Sequence, residues 1–374
     1  MKKLKLMMAD TDADYMESVA VYLRSSHEGV KFDVKLFSTS ENVSHYLSNH
    51  EQIDILLIAP ELLTQELPIQ HVGLVLMLED ERIARYDSTF IRIFKYQPLN
   101  KLISDILSHY YDENGKIQSF HYEMGRTKVL SMYSASGGVG KTTLAISLAR
   151  QLALADKKVF YLNLELINST SLYLTSLDDQ PSTQILYHVK TSKDQLVSKI
   201  ESLKKYSADM KVEYFDLAIN PEEMLDLTEE DVNTLVSGLL ETKHYDFIII
   251  DGDDSLDPRM QAALNVSDFI LWVLNNERQS FFKTEELMKQ GKVFFEKEAE
   301  LGEKLLFILN QFTGTLAEEF KIASLPIKEY TPFIPEWKQL RSGTQLLSTP
   351  LFSEDFLHHL GVQTTAQGGV FYGQ

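Results

Sequence analysis

The 374-residue chain contains no cysteine, so disulfides, thiolate metal sites and thiol chemistry are all excluded. It has little basic charge for its size. Thirty-six Lys and Arg face 54 Asp and Glu, a formal net charge of −18. Unspecific nucleic-acid affinity comes from cations that release counterions, so this balance argues against DNA as a partner. No apolar run is long enough to span a bilayer. Met1-Lys2-Lys3-Leu4 begins like a secretion signal, but Asp10, Asp12 and Asp14 end the apolar stretch too early. Cytoplasmic residence without membrane insertion is the simplest expectation. His358-His359 is the only adjacent histidine pair, and no His/Asp/Glu cluster has metal-ligand spacing. Internal repeats and low-complexity tracts are also missing.

What is present is ordinary globular material, 44% hydrophobic and long enough for two domains. We expect one domain over 1–111, a linker over 112–126, a second domain over 127–360 and a tail over 361–374. Both read as α/β, doubly wound parallel sheets. In the first, apolar strands at 3–9, 32–37, 53–58, 72–78 and 90–94 alternate with helical stretches at 15–25, 41–49 and 99–109. In the second, strands are expected at 129–133, 158–163, 245–251, 269–274 and 305–309. Ser182–Tyr206 reads as one long helix carrying an apolar stripe, part core and part dimer surface. The acidic run Glu222–Asp231 reads as a solvated face. Leu351–Leu360 lacks the basic face of a membrane-binding helix and reads as a last helix packed on the core.

The strongest chemical signal is Ser134-Ala135-Ser136-Gly137-Gly138-Val139-Gly140-Lys141-Thr142-Thr143, set between an apolar strand and a helix. Glycines let backbone N–H groups close around phosphate oxygens, and the helix N-terminus adds its positive end. Lys141 is placed to reach the β- and γ-phosphates, and the Thr142 hydroxyl to bind Mg²⁺. Ser136 to Thr143 thus form the expected nucleotide cradle. Tyr245–Asp251 is a buried strand ending in a carboxylate, and Asp251 is the second expected Mg²⁺ residue.

The loop resembles the deviant phosphate-binding loop of the ParA/MinD superfamily, with Ala135 in place of the ordinary first glycine. In that family Ser136 is a "signature" lysine. The next strand ordinarily ends Asp-x-Asp; here the pair is Asn163 and Glu165. The resemblance implies that Lys141, Glu165 and Asp251 carry the catalytic roles, with Glu165 orienting water in preference to Asp253. It further implies that Asn310 reads the adenine edge, and that Ile334-Pro335 with a helix over 339–346 covers the base. ATP and Mg²⁺ are the implied cofactors. Arg259 is one basic residue that could substitute for the signature lysine across a dimer.

The first domain resembles a response-regulator receiver, with Asp10 and Asp12 at the acidic-pair positions and Lys95 at the lysine position. Ala59 stands where the phosphate acceptor belongs, so the domain reads as a pseudo-receiver that docks proteins. A pseudo-receiver joined to a deviant-loop ATPase resembles the TadZ/CpaE proteins of Flp/Tad-type pili. That implies a homodimer on ATP binding, pilus, secretion or polar-localisation partners met through the first domain, and slow or absent hydrolysis. The alternative is an actively cycling MinD- or ParA-type ATPase. A bacterial tyrosine kinase would want a tyrosine-rich tail, and only Tyr372 lies there.

Overall fold

The computed structural model describes residues 3–25, 31–49, 52–64, 66–80, 90–113, 127–176, 181–290, 304–316, 325–339, 342–346 and 350–362. The chain divides into two compact units, residues 1–123 with 194–202, and residues 124–193 with 203–374.

The first unit is built from β1 (Leu4–Ala9), α1 (Ala13–Ser25), β2 (Phe32–Phe37), α2 (Ser40–Ser48), β3 (Ile53–Ile58), β4 (Val72–Glu79), β5 (Ile91–Phe94) and α3 (Leu99–Glu113). Its strands form a parallel sheet in the order β2-β1-β3-β4-β5. That is the flavodoxin-like doubly wound order. Alternate residues of each strand face opposite sides, so a sheet covered on both faces needs apolar residues at both sets of positions. Leu6 and Met8 accordingly pack in one core with Val19 of α1 and Ile103 of α3. Met7 and Ala9 pack in the other with Val43 and Leu47 of α2. Segment 194–202 counts with this unit, and its buried Glu201 pairs with buried Lys31 at 3.2 Å.

The second unit begins with β6 (Lys128–Tyr133), α4 (Lys141–Leu154), β7 (Val159–Asn163), α5 (Thr170–Tyr173) and α6 (Gln184–Thr191). The chain then passes through α7 (Leu196–Leu203), which counts with the first unit, and the second unit continues with β8 (Lys205–Ser207), β9 (Val212–Tyr214), α8 (Pro221–Leu225), α9 (Glu229–Glu241), β10 (Phe247–Asp251), α10 (Pro258–Val266), β11 (Phe269–Asn275), α11 (Arg278–Lys289), β12 (Leu305–Phe312), β13 (Ile327–Pro332) and α12 (Glu354–His359). The eight strands run β13-β12-β11-β6-β10-β7-β9-β8, all parallel except the β8–β9 hairpin. From β6 the chain goes to β7 on one side, and from β10 it crosses back to β11 on the other. β6 and β10 therefore flank the point where the sheet reverses direction, the crevice in which such sheets bind ligands.

The expected single helix over 182–206 is two helices. The α6 helix ends at Thr191, a short 3-10 turn over Lys193–Gln195 follows, and 205–207 is strand. An apolar stripe cannot report a break that leaves its spacing intact. The three-residue strands β8 and β9 and the edge strand β13 were not expected, being too short or too polar to show an alternating pattern. The expected helix over 339–346 is replaced by 3-10 turns at Pro335–Gln339 and Gly343–Leu346, with 340–341 outside the described residues. Residues 114–126 of the expected linker and 363–374 of the expected tail also lie outside them. The C-terminal helix packs as expected, with Leu351, Phe352, Phe356, Leu357 and Leu360 buried in the core that covers α4. No helix among the described residues is long and apolar enough to cross a membrane.

Candidate functional site

The phosphate-binding sequence forms the turn between β6 and α4. Gly138 (φ 74°) and Gly140 (φ 90°) take left-handed backbone conformations that side chains disfavour. Gly140 is also the N-cap of α4 and has no side chain to close the helix end, so the first-turn N–H groups stay directed into the loop. A Cβ at Gly140 would lie 2.5 Å from Nδ2 of Asn310, so the position requires glycine twice over. Lys141 is buried at the head of α4. A lysine is seldom buried without an anionic counterpart, and here Glu165 and Asp251 both feel its charge.

The strand ends around the loop bring the expected carboxylates together. The β10 strand lies between β6 and β7, with Asp251 in register with Met132 on one side and Asn163 on the other. Asp251 is fully buried and accepts a hydrogen bond on Oδ2 from the Tyr161 hydroxyl at 2.7 Å. Asn163 donates through Nδ2 to the Tyr161 oxygen at 3.0 Å and to Oε2 of Glu165 at 3.2 Å. Oδ1 of Asn163 accepts from the Glu165 backbone N–H at 2.8 Å. Thr142 donates to Oε1 of Glu165 at 3.4 Å. Burial, reinforced by the charge of Glu165, pushes the Asp251 carboxyl up to about 7, while Tyr161, Thr142 and Lys141 pull the other way. Burial likewise raises Glu165, against the pull of Asn163, Lys141 and Thr142.

Asn310, Arg259 and Asp253 are each occupied within the protein. Asn310 lies at the strand ends beside the loop, where its amide donates to the Val139 carbonyl at 2.8 Å and accepts from the Thr331 hydroxyl at 2.7 Å. It braces the loop, and a base edge would have to share that amide. Arg259, a possible stand-in for the signature lysine, is only 1% exposed and is bound to Asp253 at 2.8 Å and Asp257 at 2.9 Å. It cannot extend to a second chain, because moving it would leave two carboxylates without their counter-charge. Asp253 also accepts from the Leu166 and Ser255 backbones. Burial would raise it, but the Ser255 hydrogen bonds and the Arg259 charge outweigh that and hold it below the usual carboxylate range. It therefore ties two loops together, which leaves Glu165 as the carboxylate nearer the Lys141–Thr142 pair. Pro335 is exposed at the start of its 3-10 turn, and Ile334 packs against the core. Tyr161 was not anticipated, since a tyrosine within an apolar strand carries no polar signal in sequence.

The cradle fits a nucleotide phosphate with Mg²⁺. Oδ1 of Asp251 and Oγ of Ser136 are buried and have no hydrogen-bond partner among the described residues. Buried polar atoms normally find partners, so two orphans beside a glycine loop mark where a polar ligand would complete the set. Thr142 and Asp251 supply the oxygens a hard cation prefers. Among the described residues no group of three His, Asp or Glu side chains could hold a metal without such a ligand.

In the first unit, Asp10 and Lys95 meet at the ends of β1 and β5. Lys95 pairs with Oδ2 of Asp10 at 3.2 Å and with Oδ1 of Asp80 at 2.7 Å, both Lys95 and Asp10 being buried. Burial would lower Lys95, but the two carboxylates outweigh it and hold the amine above its ordinary range. Asp12 accepts from the Tyr15 backbone N–H at 2.9 Å, close to the start of α1. Ala59 follows β3 and is buried.

A strand, a glycine loop, a helix and a neighbouring strand that ends in a buried aspartate define a P-loop nucleoside-triphosphate-binding domain. Residues 127–301, just under half of the chain, match the family described as an AAA domain. With the loop sequence and sheet order above, the second unit has the P-loop NTPase fold. Similar solved structures include a ParA family ATPase from Chlorobium tepidum, 23% identical over 61% of this chain and 95% of that one, with a TM-score of 0.49. The cell division ATPase MinD of Pyrococcus furiosus is 22% identical over 58% of this chain and 87% of that one, at 0.45. The septum site-determining protein MinD of Pyrococcus horikoshii, complexed with Mg-ADP, is 19% identical over 59% and 86%, at 0.41. No curated protein matches the chain.

Proposed function

We propose that this protein is an ATP-binding, ATP-dependently dimerising localisation or assembly factor of the TadZ/CpaE kind, with slow or no hydrolysis. The observation that carries the reading is an asymmetry in the site. The parts that hold nucleotide are intact, with Lys141 and Thr142 at the head of α4 and Asp251 with one free buried oxygen. The parts that the family resemblance ties to turnover are altered. Ser136 is too short to reach across a dimer, and Asn163 carries no charge.

Dimerisation follows if a second copy improves the site. ATP then favours the dimer by the difference in its affinity for the two states. Ile167, Leu172 and Ile219 are more than half exposed on segments that follow the ends of β7 and β9, and they supply apolar surface for a second copy. Their loops are tied by the Asn168 amide, which donates to the Leu217 carbonyl at 3.1 Å. The first unit supports a docking role. Alanine cannot accept a phosphoryl group at 59, and the lysine that would answer one is already paired with Asp10 and Asp80.

Light scattering without nucleotide, with Mg-ADP and with Mg-ATP tests this, with phosphate release followed on the same samples. The expected outcome is a dimer that forms with Mg-ATP and persists while little phosphate appears. Lys141→Ala should remain monomeric in every condition and lose nucleotide binding. Brisk phosphate release that dissolves the dimer would make Glu165 a competent catalytic residue and favour a cycling MinD- or ParA-type ATPase.

A further inference from the structure

Asn163 takes the place of a carboxylate, and on charge alone it would count as a lost metal-site residue. Its surroundings show something else. Every hydrogen-bonding group of its amide is used at good distance. Oδ1 receives the Glu165 backbone N–H, one Nδ2 proton goes to the Tyr161 oxygen, and the other goes to Oε2 of Glu165. Tyr161, fully buried, spends its own proton on Oδ2 of Asp251. The chain of bonds therefore has one direction, from the amide to the phenol to the buried carboxylate, with a side branch to Glu165.

We infer that Asn163 and Tyr161 form a positioning relay that fixes the carboxylates of Asp251 and Glu165 for the metal-nucleotide site. The inference rests on the function proposed above. The Tyr161 bond to Oδ2 restrains rotation of the Asp251 carboxylate, and Oδ1, which accepts no hydrogen bond, is left for a ligand. Charge-assisted hydrogen bonds of this kind are the strong ones, and a buried relay polarises along its length. The relay also explains why an amide stands at 163. An aspartate there could donate neither to Tyr161 nor to Glu165. The phenol proton would be drawn to the nearer carboxylate, and three anions would crowd the buried ends of β7 and β10. Asn163 and Tyr161 are thus a matched pair, and restoring a carboxylate at 163 alone damages the site.

The test is a titration of Mg²⁺ against binding of a fluorescent ATP analogue, with wild type, Tyr161→Phe, Asn163→Asp and the double variant, and with binding without Mg²⁺ measured in parallel. Phenylalanine removes one hydroxyl from a buried ring and keeps the packing, so Y161F decides the question even if N163D fails to fold. Each single variant should raise the half-saturating Mg²⁺ concentration at least about threefold while leaving Mg²⁺-free nucleotide binding unchanged. The double variant should be no worse than the weaker single, since both break one relay. A merely structural role would weaken binding with and without metal alike, and that result overturns the inference. So does an unchanged or lower Mg²⁺ requirement in Y161F, or in a folded N163D. If wild type itself shows no Mg²⁺-dependent nucleotide binding, the proposed function falls and the relay with it. If wild type does and the variants match it, the relay alone falls.

Discussion

A carboxylate with no exposure to solvent, such as Asp251, is costly to ionise unless something compensates it. One phenolic hydrogen bond compensates in part, so the group stays pushed up to about 7 against an ordinary 3.8. Between those values the folded protein holds a proton that the unfolded chain has lost, so stability falls as pH rises through the window. Asp251 therefore makes its full contribution below the ordinary value and loses it as pH passes about 7. In buffer free of nucleotide and Mg²⁺, Asp251→Asn should melt higher than wild type near pH ~8, and the gap should narrow toward pH ~6. Parallel melting curves across that range would mean that Asp251 is ionised throughout.

Individual elements are specified by a few contacts whose strength can be checked one at a time. The α9 helix starts with a reciprocal cap in which Thr228 and Asp231 each accept from the other's backbone N–H, and Glu229 and Glu230 extend the favourable acidic first turn. The acidic run expected to be solvated does lie largely exposed, and it also starts a helix. The α12 helix is only six residues long and could not hold its shape alone. It is kept by Ser353, which accepts from the Phe356 N–H at 3.2 Å, and by Phe356 stacked on Phe352 at 5.4 Å between ring centroids. Truncating Phe356 to alanine leaves a void beneath the helix and should cost ~3–5 kcal/mol. Urea unfolding would show it as a lower midpoint. A loss under about 1 kcal/mol would mean the core collapses to fill the space.

The whole molecule carries a net charge of −18. That charge gives a far field that repels polyanions, whereas local backbone dipoles can still attract a small multiply charged ligand. Mobility-shift assays with a random DNA duplex at physiological salt should therefore show no retention, with or without Mg-ATP. Retention that weakens steeply with added salt would reveal a basic face and favour a partitioning role.

Much of this architecture is legible in the amino-acid sequence itself. Apolar strands bounded by turn residues dictate two parallel sheets, because backbone groups inside a covered sheet can pair only with neighbouring strands. Gly138, Gly140, Lys141, Thr142 and Asp251 announce a phosphate cradle, because so few residue types can perform those tasks. Tertiary structure decided what is non-local. It gave Asn310 to the Val139 carbonyl, enclosed Arg259 between Asp253 and Asp257, and joined Tyr161 to Asp251 across adjacent strands. Local sequence carries propensity and period, but which polar atoms meet in a buried site depends on strand order and register. These appear only when segments nearly a hundred residues apart, such as Tyr161 and Asp251, pack side by side.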